Sequence, residues 1–147
     1  MKAEGDGKKY VNHYRHSFCM ACGGANPAGL HLKFLRQPDG SVAASVFCAK
    51  ELSGYDGLLH GGAAAFMLDS AMTNCLFSAG IAALTGKLSV RYRTPVKTGR
   101  AAGLKAWIEF EHPPLYVLKS ELRQDGKLKV SAEARFIKRD AAVNSVQ

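Results

Sequence analysis

The residues of this 147-residue chain best suited to chemistry are His60-Gly61-Gly62 and Asp69. They open and interrupt a single run, residues 61–80, in which Ala, Met and Leu dominate and proline is absent. The first turn of a helix has unpaired N–H groups and a partial positive charge, and two glycines there let a ligand come close to the backbone. Such an end can polarise a carbonyl and hold the oxyanion formed on attack; paired glycines can also serve close packing alone. Asp69 lies among Phe66, Met67, Leu68, Ala71 and Met72. Aspartate is a poor helix-interior residue, and its carboxylate is costly to bury. Either that face of the helix meets water or caps nearby backbone, or Asp69 is a base whose pKa burial raises toward a useful value. Thr85, ahead of the next strand pattern, can orient a water beside Asp69 or be an ordinary strand-edge threonine.

Spacing adds a constraint. Asp69 is eight residues past Gly61, roughly 12 Å along a helix axis, too far for both to touch one reacting carbon. If both act in one site they come from different subunits, with two helices antiparallel across a two-fold axis. The expectation is an obligate homodimer with two composite sites.

Other patterns supply the frame. Residues 18–29 are rich in small and turn residues and read as a loop or short helical turn. Leu30 to Phe34 alternates like a half-buried strand, Asp39-Gly40 is a turn, and Val42 to Cys48 is a second strand. Residues 61–80 are apolar on nearly every face, which predicts a buried helix ending near Gly80. Four alternating segments follow, centred on Leu88–Tyr92, Leu104–Phe110, Tyr116–Leu122 and Leu128–Phe136. Pro113-Pro114 and Asp125-Gly126 mark the connections between the last three. Two strands, one apolar helix and four strands predict an α+β architecture, an antiparallel sheet wrapped around one central helix. The expected organisation is an N-terminal arm over 1–17, one domain over 18–139 and a tail over 140–147.

The net charge is +8. Residues 1–83 are nearly balanced, with seven Lys/Arg against six Asp/Glu, whereas residues 84–139 carry thirteen against five. That excess suits an anionic partner or a plain solvated surface. No recognition-helix pattern points to nucleic acid, no stretch is apolar enough for a membrane span, and the polar N-terminus lacks a secretory signal. A cytoplasmic location is the default expectation, and with it unpaired cysteines. His13, His16, Cys19 and Cys22 recur at three-residue intervals and hold the donor types of a tetrahedral zinc site. Usual finger spacings are missing, however, and the expectation is free thiols packed in a loop against the helix, with no metal or cofactor.

Taken together, these motifs resemble the PaaI-type thioesterases of the hotdog superfamily. The resemblance is carried by Gly54-Tyr55-x-Gly57-x-x-His60-Gly61-Gly62 with Asp69 nine positions after the histidine, by Thr85 and Tyr92-x-x-Pro95-x-x-x-Gly99, and by Cys19-x-x-Cys22-Gly23-x-x-Asn26-Pro27-x-Gly29-Leu30, which resembles one branch of the family. It spans residues 18–137 and implies a hotdog fold and hydrolysis of an acyl-CoA thioester. In that frame Asp69 is general base or nucleophile, and the Gly62 N–H, aided by Gly61, polarises the thioester carbonyl. His60 positions the thioester or its leaving sulfur. Arg91, Arg93, Lys97 and Arg100 meet the CoA phosphates, and a dimer of dimers is implied. One departure is Gly54, where several relatives carry Asn; Asn74 is the candidate to supply that function. The apolar residues Phe66, Met67, Met72, Leu76 and Phe77 are candidates to line an acyl pocket. The competing reading is a non-catalytic acyl-CoA-binding sensor, against which Asp69 argues. A hydratase would need an Asp/His pair that is not evident.

Overall fold

The computed structural model describes residues 9–138. The expected tail over 140–147, and the first eight residues of the expected arm, lie outside them. Strand β1 (Leu35–Arg36) and β2 (Val42–Cys48) precede the helix α1 (Gly61–Ser78). Then come β3 (Leu84–Tyr92), β4 (Arg100–His112), β5 (Leu115–Gln124) and β6 (Lys127–Ile137). All six strands join one antiparallel sheet in the order β1-β2-β4-β5-β6-β3. Helix α1 lies on one face, packed most extensively on β4 and β5.

This helix forms because its residues are strong helix formers, and it is stable because burial follows. Met67, Leu68, Ala71, Met72, Cys75 and Leu76 are buried, and they meet Val42, Leu104, Ala106, Leu118, Leu122 and Phe136 from the sheet. Gly80, at φ 76°, ends the run in the left-handed conformation that glycine adopts without strain.

Two expectations needed correction. Residues 30–34 are not a strand. Leu32 and Phe34 are buried while His31 and Lys33 are exposed, so the alternation is present, but His31 sits at φ 52°. A left-handed residue breaks the extended backbone a ladder requires, and only Leu35–Arg36 pair with β2. The strand after the helix begins at Leu84, earlier than the alternation suggested, and reaches its second half through a bulge between Thr85 and Lys87. The described part of the N-terminal segment is tied to the rest of the fold. Tyr10 bridges Leu35, the Val11 N–H donates to the Phe34 carbonyl at 2.8 Å, and the His13 ring stacks on Phe77.

Candidate active site

Helix α1 carries both halves of the site. At its start His60 is the N-cap, and its Nδ1 accepts the Gly62 N–H at 2.8 Å. A neutral imidazole accepting at Nδ1 has its proton on Nε2, so His60 presents an N–H donor outward. The expected oxyanion donor, the Gly62 N–H, is therefore held by His60. A Cβ at Gly62 would stand 3.0 Å from His60 Nδ1, closer than the ring can accept without moving. A Cβ at Gly61 would meet only the Tyr92 ring, at an ordinary 3.5 Å. Gly54 also has a clear reason: a Cβ there would approach His60 Cα at 3.3 Å and Cδ2 at 3.4 Å.

Tyr92 was not among the residues selected from the sequence as acting in the site, yet it fastens the site to the sheet. Its hydroxyl donates to the Gly61 carbonyl at 2.6 Å. The signal was its position in the Tyr92-x-x-Pro95 run, read only as a strand and turn. Two open cavities flank this helix end. One, about 410 Å³, is lined by Gly54, Tyr55, Leu58, Leu59, His60, Gly61 and Pro95. The other, about 210 Å³, extends past Tyr92, Arg93 and Val130.

Two turns along the helix, Asp69 is half-buried, and Oδ1 accepts the Thr85 hydroxyl at 2.8 Å. Burial raises the Asp69 pKa above the usual carboxylate value, and the Thr85 hydrogen bond opposes that rise. Occupying one carboxylate oxygen leaves the other for water. Thr85 reaches Asp69 because of the bulge. Side chains alternate faces along a strand, so in a regular β3 Thr85 would share the outer face with Lys87 and Ser89. The extra residue turns it to the helix side, with Leu88, Val90 and Tyr92.

Of the four basic residues, Arg91 and Arg93 share a cavity, whereas Lys97 and Arg100 lie apart from them. Arg91 lines a cavity of about 690 Å³ among Trp107, Lys119, Glu121 and Glu133. Arg93 touches that cavity and the one at the helix start, and it donates to the Ser131 hydroxyl at 2.9 Å. Lys97 bridges Leu58 through its backbone, while its main chain is clamped by the Gln124 amide. Arg100 pairs with Asp125 at 2.9 Å on the surface. Asn74 does not face Gly54 either. It is buried, donates to the Ser70 carbonyl at 2.9 Å and hydrogen-bonds Cys22, more than three turns from His60. Its expected role in place of the missing asparagine is not met within the chain.

Cys19, Cys22 and His16 gather beside Asp69. With Phe66, Ser70, Thr73 and Asn74 they line a cavity of about 130 Å³. Burial and then the neighbouring His13 lower the His16 pKa. Burial pushes the Cys22 thiol up to about 11, against the Asn74 hydrogen bond. His13 is not one of the three clustered donors: its ring meets that of His16 edge-on at 6.1 Å, and its Nδ1 accepts the Arg15 N–H. The remaining cysteines, Cys48 and Cys75, are buried.

A sheet wrapped on a single central helix is the hotdog fold, and comparison with known proteins agrees. Residues 56–110 match the model of the thioesterase superfamily, a segment that contains His60-Gly61-Gly62, Asp69 and Thr85. The structure resembles that of a thioesterase superfamily protein at TM-score 0.79 and 23% identity, covering 92% of this chain and 70% of that one. It also resembles PaaI from the phenylacetic acid degradation operon of E. coli, at 0.68 and 16%, covering 74% of this chain and 83% of that one. A Streptococcus pneumoniae thioesterase protein crystallised with coenzyme A matches at 0.67 and 19%, covering 72% and 86%. No curated protein matches the sequence. Among the described residues, no helix is long and apolar enough to cross a membrane.

Proposed function

We propose that this protein hydrolyses an acyl-CoA thioester to the free acid and CoA, in composite sites formed across a homodimer. The observation that carries the reading is a half-buried helical carboxylate, Asp69, tied at one oxygen to Thr85, on the same helix that begins with His60-Gly61-Gly62. The coenzyme A bound to the pneumococcal protein of like fold supports the thioester class.

In this reading Asp69 of one chain takes a proton from water, and the hydroxide adds to the thioester carbonyl held at the other chain's helix start. The oxyanion competes with His60 Nδ1 for the Gly62 N–H, displacing the ring, while the Gly61 N–H assists. Collapse breaks the C–S bond, and the proton held by Asp69 passes to the departing sulfur, which the His60 Nε2–H steadies as a hydrogen-bond donor. Attack by Asp69 itself, through an acyl-enzyme anhydride, uses the same residues.

The dimer is supported by the sheet edge. β3 pairs on one side only, with β6, and exposes Leu84, Leu88 and Tyr92 over nine residues. A long apolar edge left unpaired is a template for association, and two β3 edges joined antiparallel would run the two helices in opposite directions. Arg91, Arg93, Lys97 and Arg100 are the proposed phosphate-binding residues, drawn together by that pairing. Assembly as a dimer of dimers and a cytoplasmic location complete the proposal.

The test is CoA release from a panel of acyl-CoAs by wild type and Asp69→Asn. Asp69→Asn is expected to lower kcat by roughly 10²–10⁴-fold with little change in KM. A wild type that binds acyl-CoA but releases none would favour the sensor reading. An Asp69→Asn variant at full rate would remove Asp69 from the chemistry.

A further inference from the structure

The thioester chemistry leaves Cys19-x-x-Cys22-Gly23 unused. The segment before it makes one 3-10 turn, Tyr14–His16, and then folds back on itself. The Cys19 N–H donates to the His16 carbonyl at 3.1 Å, the Gly23 N–H to the Cys19 carbonyl at 2.9 Å, and the Ala25 N–H to the Ser17 carbonyl at 2.9 Å. Gly23 is enclosed by this backbone. A Cβ on it would lie 2.3 Å from the Cys19 nitrogen, 2.5 Å from the Ser17 carbonyl and 2.7 Å from that of His16. No residue other than glycine fits, and the tightness brings the three side chains to one point. One donor atom each from His16, Cys19 and Cys22 lies within 4.8 Å of the others, with Cys22 Sγ 3.9 Å from His16 Nδ1. In a zinc tetrahedron, with Zn–S ~2.3 Å and Zn–N ~2.0 Å, neighbouring donors stand about 3.5–3.8 Å apart. A contraction of about an ångström or less, through side-chain rotation, closes the set.

Two further features fit a metal. The Ala21 N–H donates to Cys19 Sγ at 3.3 Å, which fixes that sulfur within the cluster. The fourth direction opens on the 130 Å³ cavity, whose Asp69, Thr73 and Asn74 offer polar partners to a water ligand. Two thiolates and an imidazole are borderline-soft donors, which select zinc over magnesium or calcium.

We infer that His16, Cys19 and Cys22 bind one zinc ion, with water as fourth ligand, as a clasp that holds the N-terminal loop on helix α1 beside Asp69. The clasp is independent of the thioesterase reading, because its test reads metal and not CoA release.

The experiment is a titration of the reduced full chain with cobalt(II), followed by displacement with zinc. Wild type is expected to take up about one equivalent, with tetrahedral visible bands and a near-ultraviolet sulfur-to-cobalt charge-transfer band, all abolished by zinc. Cys22→Ser removes one of two thiolates and is expected to cut the charge-transfer band by about half. His16→Gln keeps both sulfurs, and so keeps that band while its visible bands change. Reduced wild type without tetrahedral bands overturns the proposal whatever the variants do. So does a Cys19→Ser/Cys22→Ser double variant that binds cobalt with the wild-type spectrum, or a chain that yields only a Cys19–Cys22 disulfide and binds no metal once re-reduced.

Discussion

Asp69 is set between two opposed influences, burial and the Thr85 hydroxyl, and the balance is open to measurement. Burial raises its pKa and the hydrogen bond holds the rise in check. A general base works only when ionised, so the acid limb of kcat/KM against pH reports this group in the free enzyme. Thr85→Val removes the donor that favours the carboxylate, and the limb is expected to move to higher pH. A limb that stays in place or moves lower would mean that Thr85 does not tune Asp69. At the helix start the two glycines should behave differently. A methyl at position 62 meets the His60 ring at 3.0 Å, whereas one at position 61 makes ordinary contact with Tyr92. Gly62→Ala is expected to lower kcat roughly tenfold or more and Gly61→Ala much less, read by steady-state kinetics on folded variants. The residue types and the nine-position spacing of His60 and Asp69 were legible in the sequence. That His60 would cap Gly62 and pack against Gly54 was not, because it depends on how the loop of residues 54–59 folds over the helix end.

At the scale of elements, periodicity identified α1, β2 and the last four strands, since each buries one face and burial imposes a pattern. It failed at single backbone torsions. The alternation of Leu32 and Phe34 is that of a strand, but a left-handed His31 takes the segment out of the ladder. The β3 bulge was equally hidden, because Gly86 between Thr85 and Lys87 looks like any strand glycine. It decides which face Thr85 occupies. Deleting Gly86 removes the unpaired residue and joins Thr85 to Lys87 in unbroken alternation, so Thr85 stays on the helix side opposite Phe136. The deletion is expected to keep the wild-type pH profile, with the circular dichroism of the wild type. A folded deletion variant with the Thr85→Val profile would show that the local geometry of the bulge, and not only the face it sets, brings Thr85 to Asp69.

For the whole molecule, the separation of Gly61 and Asp69 calls for a second chain if both act in one site, and the open β3 edge is the surface proposed for it. The charge asymmetry was also legible, but its distribution was not. Arg91 and Arg93 share one cavity, whereas Lys97 lies on the β3–β4 connection and Arg100 at the start of β4, paired with Asp125. Under the composite-site proposal, dilution below the dimer dissociation constant is expected to abolish CoA release, and a fully active monomer would remove the shared site.

Helix α1, with its capped glycine end and its carboxylate two turns on, also has a genetic consequence. If each site borrows its halves from two copies, a chain spoiled only at Gly62 and a chain spoiled only at Asp69 complement one another. Every mixed pair then contains one site with both lesions and one with neither. Two silent alleles, Gly62→Val and Asp69→Asn, should regain about a quarter of wild-type activity when co-expressed in equal amounts and paired at random. Measured on the purified mixture, that recovery is the signature of a shared site; two inactive alleles that stay inactive together would confine each site to a single chain.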